Sequence, residues 1–307
     1  MVEGRRGLGQ TFSNRTFTVV NTLCMLLFSF LCAYPMWYIL VLSFNEGQDA
    51  LMGGIYWWPR EFTLGNYIVV LSNSIIANAF WISVLRTVIG TVGSLLVTSM
   101  VAYALSRSEL PGRRPITLFF LLIMLFSGGL IPFYIQLIQL NLINTFWVYI
   151  FPSLFSVWNM LVMRTSFRSN IPESVVESMK IDGAGYVRIY FTLILPYSMP
   201  LLAALGLFTA VGHWNDWFTG AFYVQDINLQ PLPTYLQRVM SSVEASNMIS
   251  ASQINAAREA SMYNPAAVTT KSVRMATIML TTLPILLVYP FLQRYFVKGV
   301  LIGSVKE

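Results

Sequence analysis

The chain is 307 residues long, 56% hydrophobic and only 10% charged, with a mean hydropathy of +0.63 and a formal net charge of +6. A soluble domain carries about 25% charged residues, so the composition excludes an ordinary water-soluble fold and places the chain in a membrane. One histidine and two cysteines leave no metal cluster, and the basic residues, spread over short segments with no stacking platform between them, exclude a nucleic-acid surface.

About 20 apolar residues cross the hydrocarbon core, so windows free of Asp, Glu, Lys and Arg locate the crossings. They lie at 16–45, 87–106, 115–163, 189–215 and 275–293. After an N-terminal segment, 1–16, the first predicted span covers 17–44, too long for a secretory h-region and read as uncleaved. Cys24 and Cys32 fall inside it, too far apart along one helix for a disulfide, and read as packing residues. Residues 45–78 follow as a folded loop in which Gly53-Gly54, Trp57, Trp58 and Pro59 mark an interfacial belt. Span two is expected at 79–105. The window 115–163 is too long for one crossing. Pro132 and the cluster Asn141, Asn144, Thr145 predict a fold-back around 139–144, giving span three at 115–138 and span four at 144–166. A loop at 167–188, span five at 189–219, a polar segment at 221–271, span six at 273–296 and a tail at 297–307 complete the chain. The fold class is an all-α integral membrane protein, one domain of six transmembrane helices over 17–296.

Basic residues set the orientation. With the N-terminus inside, thirteen of the 19 Lys and Arg residues fall on the inner side, among them Arg107, Arg113, Arg114, Arg164, Arg168, Lys180 and Arg188. Both termini and the 167–188 loop are therefore expected in the cytoplasm, and segments 45–78 and 221–271 outside. The longer of these reads either as a contact for an extracytoplasmic partner or entering substrate, or as a tether between spans five and six.

The 167–188 loop keeps Glu177, Lys180, Asp182 and Arg188 together between two apolar spans, and so presents a surface to something in water. Pro172 suits the first turn of a helix, and Glu173 and Glu177 lie toward its N-terminus, where the macrodipole favours negative charge. Val175, Val176 and Met179 share one face, and Gly183 and Gly185 end the helix.

Span five closes on GHWNDWF, residues 212–218. Ionisable groups at membrane depth are costly and face a cavity or a partner. Arg86 of span two and Asp216 should both lie in the outer part of the membrane, where an ion pair would brace an outer gate; the alternative is that each is separately solvated. Aromatic faces cover the apolar side of a sugar ring and Asn, Asp and His bond its hydroxyls. Trp158, Asn159, His213, Trp214, Asn215 and Asp216 supply such groups, although tryptophan at a span end also serves as an interface anchor.

Glu177, then Asp182-Gly183-Ala184, then Ile194-Leu195-Pro196 and Pro200, resemble the coupling loop of the permease subunits of ABC importers, closest to the oligosaccharide-importing, maltose-type branch. Ser178 and Met179 stand where that motif has two alanines. GGLIPFY (128–134), VMRTSF (162–167), AVGHWNDWF (210–218) and LPILLVYPFLQRYFVKGVLIGSVK (283–306) extend the resemblance over most of the chain. It implies a subunit of a bacterial cytoplasmic (inner) membrane importer that forms half of an oligosaccharide path. Its implied partners are a second, homologous permease, two ATPase subunits and an extracytoplasmic solute-binding protein. The chain itself would hold no cofactor, ATP and Mg being bound by the ATPase partner. The coupling set it implies is Glu177, Ser178, Asp182, Gly183, Ala184 and Pro196. Glu177 would make a charge-assisted hydrogen bond to the ATPase, and the Asp-Gly-Ala turn would allow close approach. An ion-coupled secondary transporter is the alternative, but such carriers keep acidic residues at mid-membrane, which the central parts of these spans lack. A membrane enzyme has no support: no P-loop occurs, and no nucleophile-base set is evident.

Overall fold

The computed structural model describes residues 8–126, 128–241, 268–269 and 271–287. The far end of predicted span six, the 297–307 tail, and most of the 221–271 segment, with Glu244, Arg258 and Glu259, lie outside the described residues. Among those described, helix dominates and the only strand-like pairing is one bridge between Asn45 and Phe62. The chain divides into two compact units, residues 1–72 with 246–280, and residues 73–245 with 281–307.

In the first unit, α1 (Leu8–Ser43) is a long apolar helix whose stretch from Phe17 to Ser43 is sufficient to cross a membrane. Cys24 and Cys32 are exposed on it rather than packed, so they occupy its apolar surface and not a core. At its end the chain folds around Asn45, which is fully buried. The Asn45 side chain donates to Glu46 O and Asp49 Oδ2 and accepts from the backbone N–H of Arg60 and Glu61. Two short helices, α2 (Gly47–Met52) and α3 (Gly65–Ser72), frame this loop. Trp57 stacks on Phe30 and meets Tyr34 edge-on, and Trp58 meets Trp37 edge-on. These contacts fold the loop's tryptophans back onto α1.

In the second unit, α4 (Ser74–Ser106) is an unbroken helix of 33 residues on which α7 (Val157–Asn170) and α11 (Met199–Asn215) pack. Its buried face carries small residues, Ser83, Gly90, Ser94, Thr98, Ser99 and Ala102. In lipid, helices associate by close packing rather than by the hydrophobic effect, and small side chains let backbones approach. A Cβ at Gly90 would stand 2.5 Å from the His213 ring, and one at Gly206 3.0 Å from Leu95.

Three of the expected spans are bent. The third is two helices, α5 (Arg113–Leu125) and α6 (Leu130–Gln139), inclined at 115° across a break that includes Gly129, whose φ is +85. Asn141 and Asn144, both in the left-handed region that asparagine tolerates, turn the chain back where the sequence predicts. The fourth begins as 3₁₀ turns at Phe146–Tyr149 and Phe151–Ser153, then bends by 45° into α7. The fifth runs through α9 (Tyr186–Ile189), a π-helical turn at Tyr190–Ile194 and α10 (Leu195–Tyr197), and meets α11 at 79°. Pro196 and Pro200 flank that bend, and each removes a helical N–H. Among the described residues, two helices are by themselves long and apolar enough to cross a membrane, and up to five crossings result if each bent pair is one span.

Candidate functional site

Two clusters stand at different ends of α4. Arg86 and the end of the helix at Ser106 are separated by about 30 Å at 1.5 Å per residue, the thickness of a hydrocarbon core.

The first cluster surrounds α8 (Glu173–Ile181), where a polar sequence meets the C-terminus of α4. Pro172 is the residue before the helix, not within its first turn, and Glu173 opens it. Val176 is the one buried residue of α8, inserted in the core with Phe167, Ile171 and Ile189. Val175 is exposed, while Met179 is half-buried against the same core, which narrows the expected three-residue face to Val176 and Met179. The helix ends as expected: Asp182 is its C-cap, Gly183 has φ +80, Gly183 N–H donates to Lys180 O and Ala184 N–H to Met179 O. That is a Schellman ending, in which a left-handed glycine satisfies the last carbonyls. Glu177, Ser178 and Asp182 face solvent, and Glu177 has no hydrogen-bond partner among the described residues. Ile181 is 86% exposed and Val187 71% exposed. Pro196 does not join this cluster; it sits at the bend of the fifth span.

Glu109, in the loop after α4, holds the C-terminal end of α8. Lys180 Nζ lies 2.5 and 2.7 Å from its two carboxylate oxygens, and the Tyr186 hydroxyl donates to it at 2.6 Å. At the other end of α8, Ser108 Oγ donates to Glu173 Oε1 at 2.8 Å. Lys180 and Tyr186 hold the Glu109 carboxyl below its ordinary pKa, and Glu109 holds the Lys180 ammonium above its own. The loop itself is fixed by cations at the α4 C-terminus: Arg164 Nε donates to Leu105 O and Arg113 Nη1 to Arg107 O, where the macrodipole favours positive charge. A sequence scan misses Glu109 because its partners lie about 70 positions away. Its one signal is an acid isolated among the arginines 107, 113 and 114.

At the second cluster Arg86 is 1% exposed. Its Nη2 donates to Asp216 O at 2.5 Å and to Trp214 O at 3.4 Å, its Nη1 lies 3.8 Å from Asp216 Oδ2, and its guanidinium covers the Tyr149 ring at 5.1 Å. The expected juxtaposition of Arg86 and Asp216 is present, with an addition: the cation caps the C-terminus of α11 through backbone carbonyls. Asp216 Oδ1 meanwhile accepts from Thr219 N–H, starting α12 (Phe218–Tyr223). Trp214 is buried, its Nε1 donating to Thr281 O, with its ring edge-on to Phe80. Its ring is therefore enclosed within this chain. His213 packs over Gly90, and Asn159 Nδ2 bonds Thr209 Oγ1, tying α7 to α11. Trp158 and Asn215 are exposed. The six residues thus separate into structural ties (Trp214, His213, Asn159), exposed groups (Trp158, Asn215) and the partly exposed Asp216.

Residues 115–302 match the model of the family described as binding-protein-dependent transport system inner membrane component. The chain is 34% identical over 293 residues to the polygalacturonan/rhamnogalacturonan transport system permease protein YtcP of Bacillus subtilis (strain 168), covering 95% of this chain and 99% of that one. It is also 34% identical to the protein LplC of the same strain, over 96% and 97% of the two chains. A solved structure of a bacterial ABC transporter involved in the import of the acidic polysaccharide alginate superposes with a TM-score of 0.82 at 25% identity, covering 96% of this chain and all of the other.

Proposed function

The chain belongs to the family of binding-protein-dependent transport inner membrane components, a multi-pass membrane permease rather than an enzyme, and from that premise we propose how it works. It forms one half of the translocation path of an ATP-driven importer for a uronate-bearing oligosaccharide, beside a second, homologous permease. A solute-binding protein delivers the sugar outside, and two ATPase subunits, which hold ATP and Mg, drive alternating access from the cytoplasm. The acidic substrate class rests on the polygalacturonan/rhamnogalacturonan relative and the alginate importer. Six spans within a single domain over 17–296 and two cytoplasmic termini fit the basic-residue distribution. Family membership leaves the ion-coupled carrier without support.

The observation that carries this reading is α8, a helix between apolar spans that buries only Val176 fully and offers most of its remaining surface to solvent. Glu177 and Ser178 face outward from it, and Asp182, Gly183 and Ala184 form its tight ending. Docked in a cleft of the ATPase, Glu177 makes a charge-assisted bond and Gly183 permits close approach. A Cβ at Gly183 meets nothing within 4 Å in this chain, so within the chain a side chain there strains only the turn. In proteoliposomes with all subunits, Gly183→Asp should leave the complex inserted while ATP hydrolysis no longer drives uptake. Normal uptake would overturn the coupling role. Stimulation of ATP hydrolysis by galacturonate oligomers, with none by neutral oligomers of equal length, tests the substrate class; the reverse pattern would refute it.

A further inference from the structure

We propose that Glu109 is a positioning residue of the coupling apparatus: one carboxylate, carried on the loop after α4, locks the coupling helix and the start of the fifth span into a single body that moves with α4. The inference rests on the coupling reading of α8 and names the element to which that helix delivers its displacement.

Gly183 ends α8 with a left-handed turn whose Cβ direction is open space, and only Ala184 and Gly185 separate it from Tyr186. A glycine turn of this kind is a hinge unless something spans it. Glu109 spans it. Lys180, on the α8 side, occupies both carboxylate oxygens, and the Tyr186 hydroxyl, on the α9 side, occupies one of them. Lys180 Nζ also stands 4.8 Å from the Tyr186 ring, closing a triangle across the turn. The Ser108–Glu173 bond grips the opposite end of α8, so the helix is held at both ends by neighbouring residues of one loop. That loop is not free to follow, because Arg164 and Arg113 tie the α4 carbonyls on which it begins. By packing, the middle of α8 is anchored only by Val176 and the half-buried Met179, one turn apart on the same core. Without Glu109, the C-terminal end of α8 would lose its tie across the glycine turn, leaving this narrow packing contact and the Ser108–Glu173 bond to hold the helix.

A surface ion pair is worth little by itself; the three-group arrangement and its place across a hinge give this one its role. Its consequence is mechanical rather than thermodynamic. Loss of the lock should leave the permease folded and the ATPases turning over, with the stroke wasted in the hinge.

The test uses the complete transporter in proteoliposomes, with uptake and ATP hydrolysis measured together. Glu109→Gln should lower sugar taken up per ATP hydrolysed by about tenfold, and Tyr186→Phe, which removes one hydroxyl from an exposed ring, should lower it by a smaller factor. The exchange of charges, Glu109→Lys with Lys180→Glu, should recover most of the ratio, which a merely folding-related loss would not. A wild-type ratio in both Glu109→Gln and Tyr186→Phe would overturn the proposal. Gly183→Asp in the same preparation separates the two claims. If it uncouples while the Glu109 variants do not, only the lock fails; if it too couples normally, the coupling reading itself fails.

Discussion

Substitutions at Arg86 and Asp216 test whether the buried cation acts through the carboxylate or through the backbone. Asp216→Asn removes one charge and keeps the side-chain acceptor for Thr219 N–H and the carbonyl that Arg86 grips. Two unit charges 3.8 Å apart interact by about 4 kcal/mol at an effective dielectric of about 20. Asp216 is 35% exposed, so water screens much of this, and about 1–2 kcal/mol should be lost. Arg86→Met removes a 2.5 Å charged hydrogen bond to a helix C-terminus, worth about 1.5–3 kcal/mol, and the cation over Tyr149, worth about 0.5–2 kcal/mol. It also relieves the burial of Nε and Nη1, neither of which has a hydrogen-bond partner among the described residues, so the net loss should be about 2–4 kcal/mol. The double variant should be no worse than Arg86→Met, because the pair energy can be lost only once. Exchanging the charges should not rescue, since an aspartate at 86 cannot donate to the carbonyls of Trp214 and Asp216. Thermal unfolding of the purified complex in detergent measures the order. Equal losses in the two single variants, or recovery by the exchange, would show that the carboxylate alone holds Arg86 and would refute the capping account.

Gly90→Ala should destabilise by about 1–3 kcal/mol through overpacking, because its Cβ would stand 2.5 Å from the His213 ring; adding His213→Ala should restore the melting temperature, and no restoration would place the strain elsewhere. The stability gap between the native chain and Glu109→Gln should depend on pH with a defined sign. Glu109 faces Lys180 on α8, Tyr186 on α9 and Arg107 at the end of α4, and its carboxyl is lowered. Its contribution is therefore present above the ordinary carboxylate range and lost as pH falls through its folded value; the Lys180 contribution, with a raised pKa, is lost only as pH rises through its own. The gap should stay flat from roughly pH 5 to 10 and close outside those limits, read as melting temperature against pH for both proteins.

Charge and hydropathy made the positions of the helices legible, and with them the polar helix α8, because a run of charge between apolar windows marks a segment that faces water. The fold-back at Asn141 and Asn144 was legible from turn chemistry. The bends were not, since an apolar window stays apolar when its axis turns. Their signals were present, as Gly128-Gly129 before Pro132 and as Pro196 and Pro200 around Ser198, but residue counts do not report direction. Orientation alone brought Arg86 near Asp216. It could not show that the stronger partners are backbone carbonyls, which carry no sequence signature. Trp214 illustrates the same limit: an aromatic at a span end fits a sugar wall, an interface anchor or a core contact, and only the bond from its Nε1 to Thr281 O decides for the core.

These bends change which element can carry force. If spans four and five were straight rods running out of α8, they would transmit its motion directly. Span four bends by 45° and span five by 79°, the latter beside a π-helical turn and two prolines, and such joints absorb displacement. Among the described residues of the second unit, α4 alone combines full crossing length with an unbroken helix. It carries Glu109 just beyond one end and Arg86 toward the other, where the guanidinium holds the C-terminus of α11. On the coupling role proposed for α8, a push on that helix, locked to Glu109, would reach α11 along a rod, by a charged contact at each end, without passing through either bend. Breaking either contact should uncouple hydrolysis from uptake in the same way, although the two residues lie a membrane thickness apart. A phenotype at Glu109 with none at Arg86 would mean that force leaves α4 before it reaches the far side.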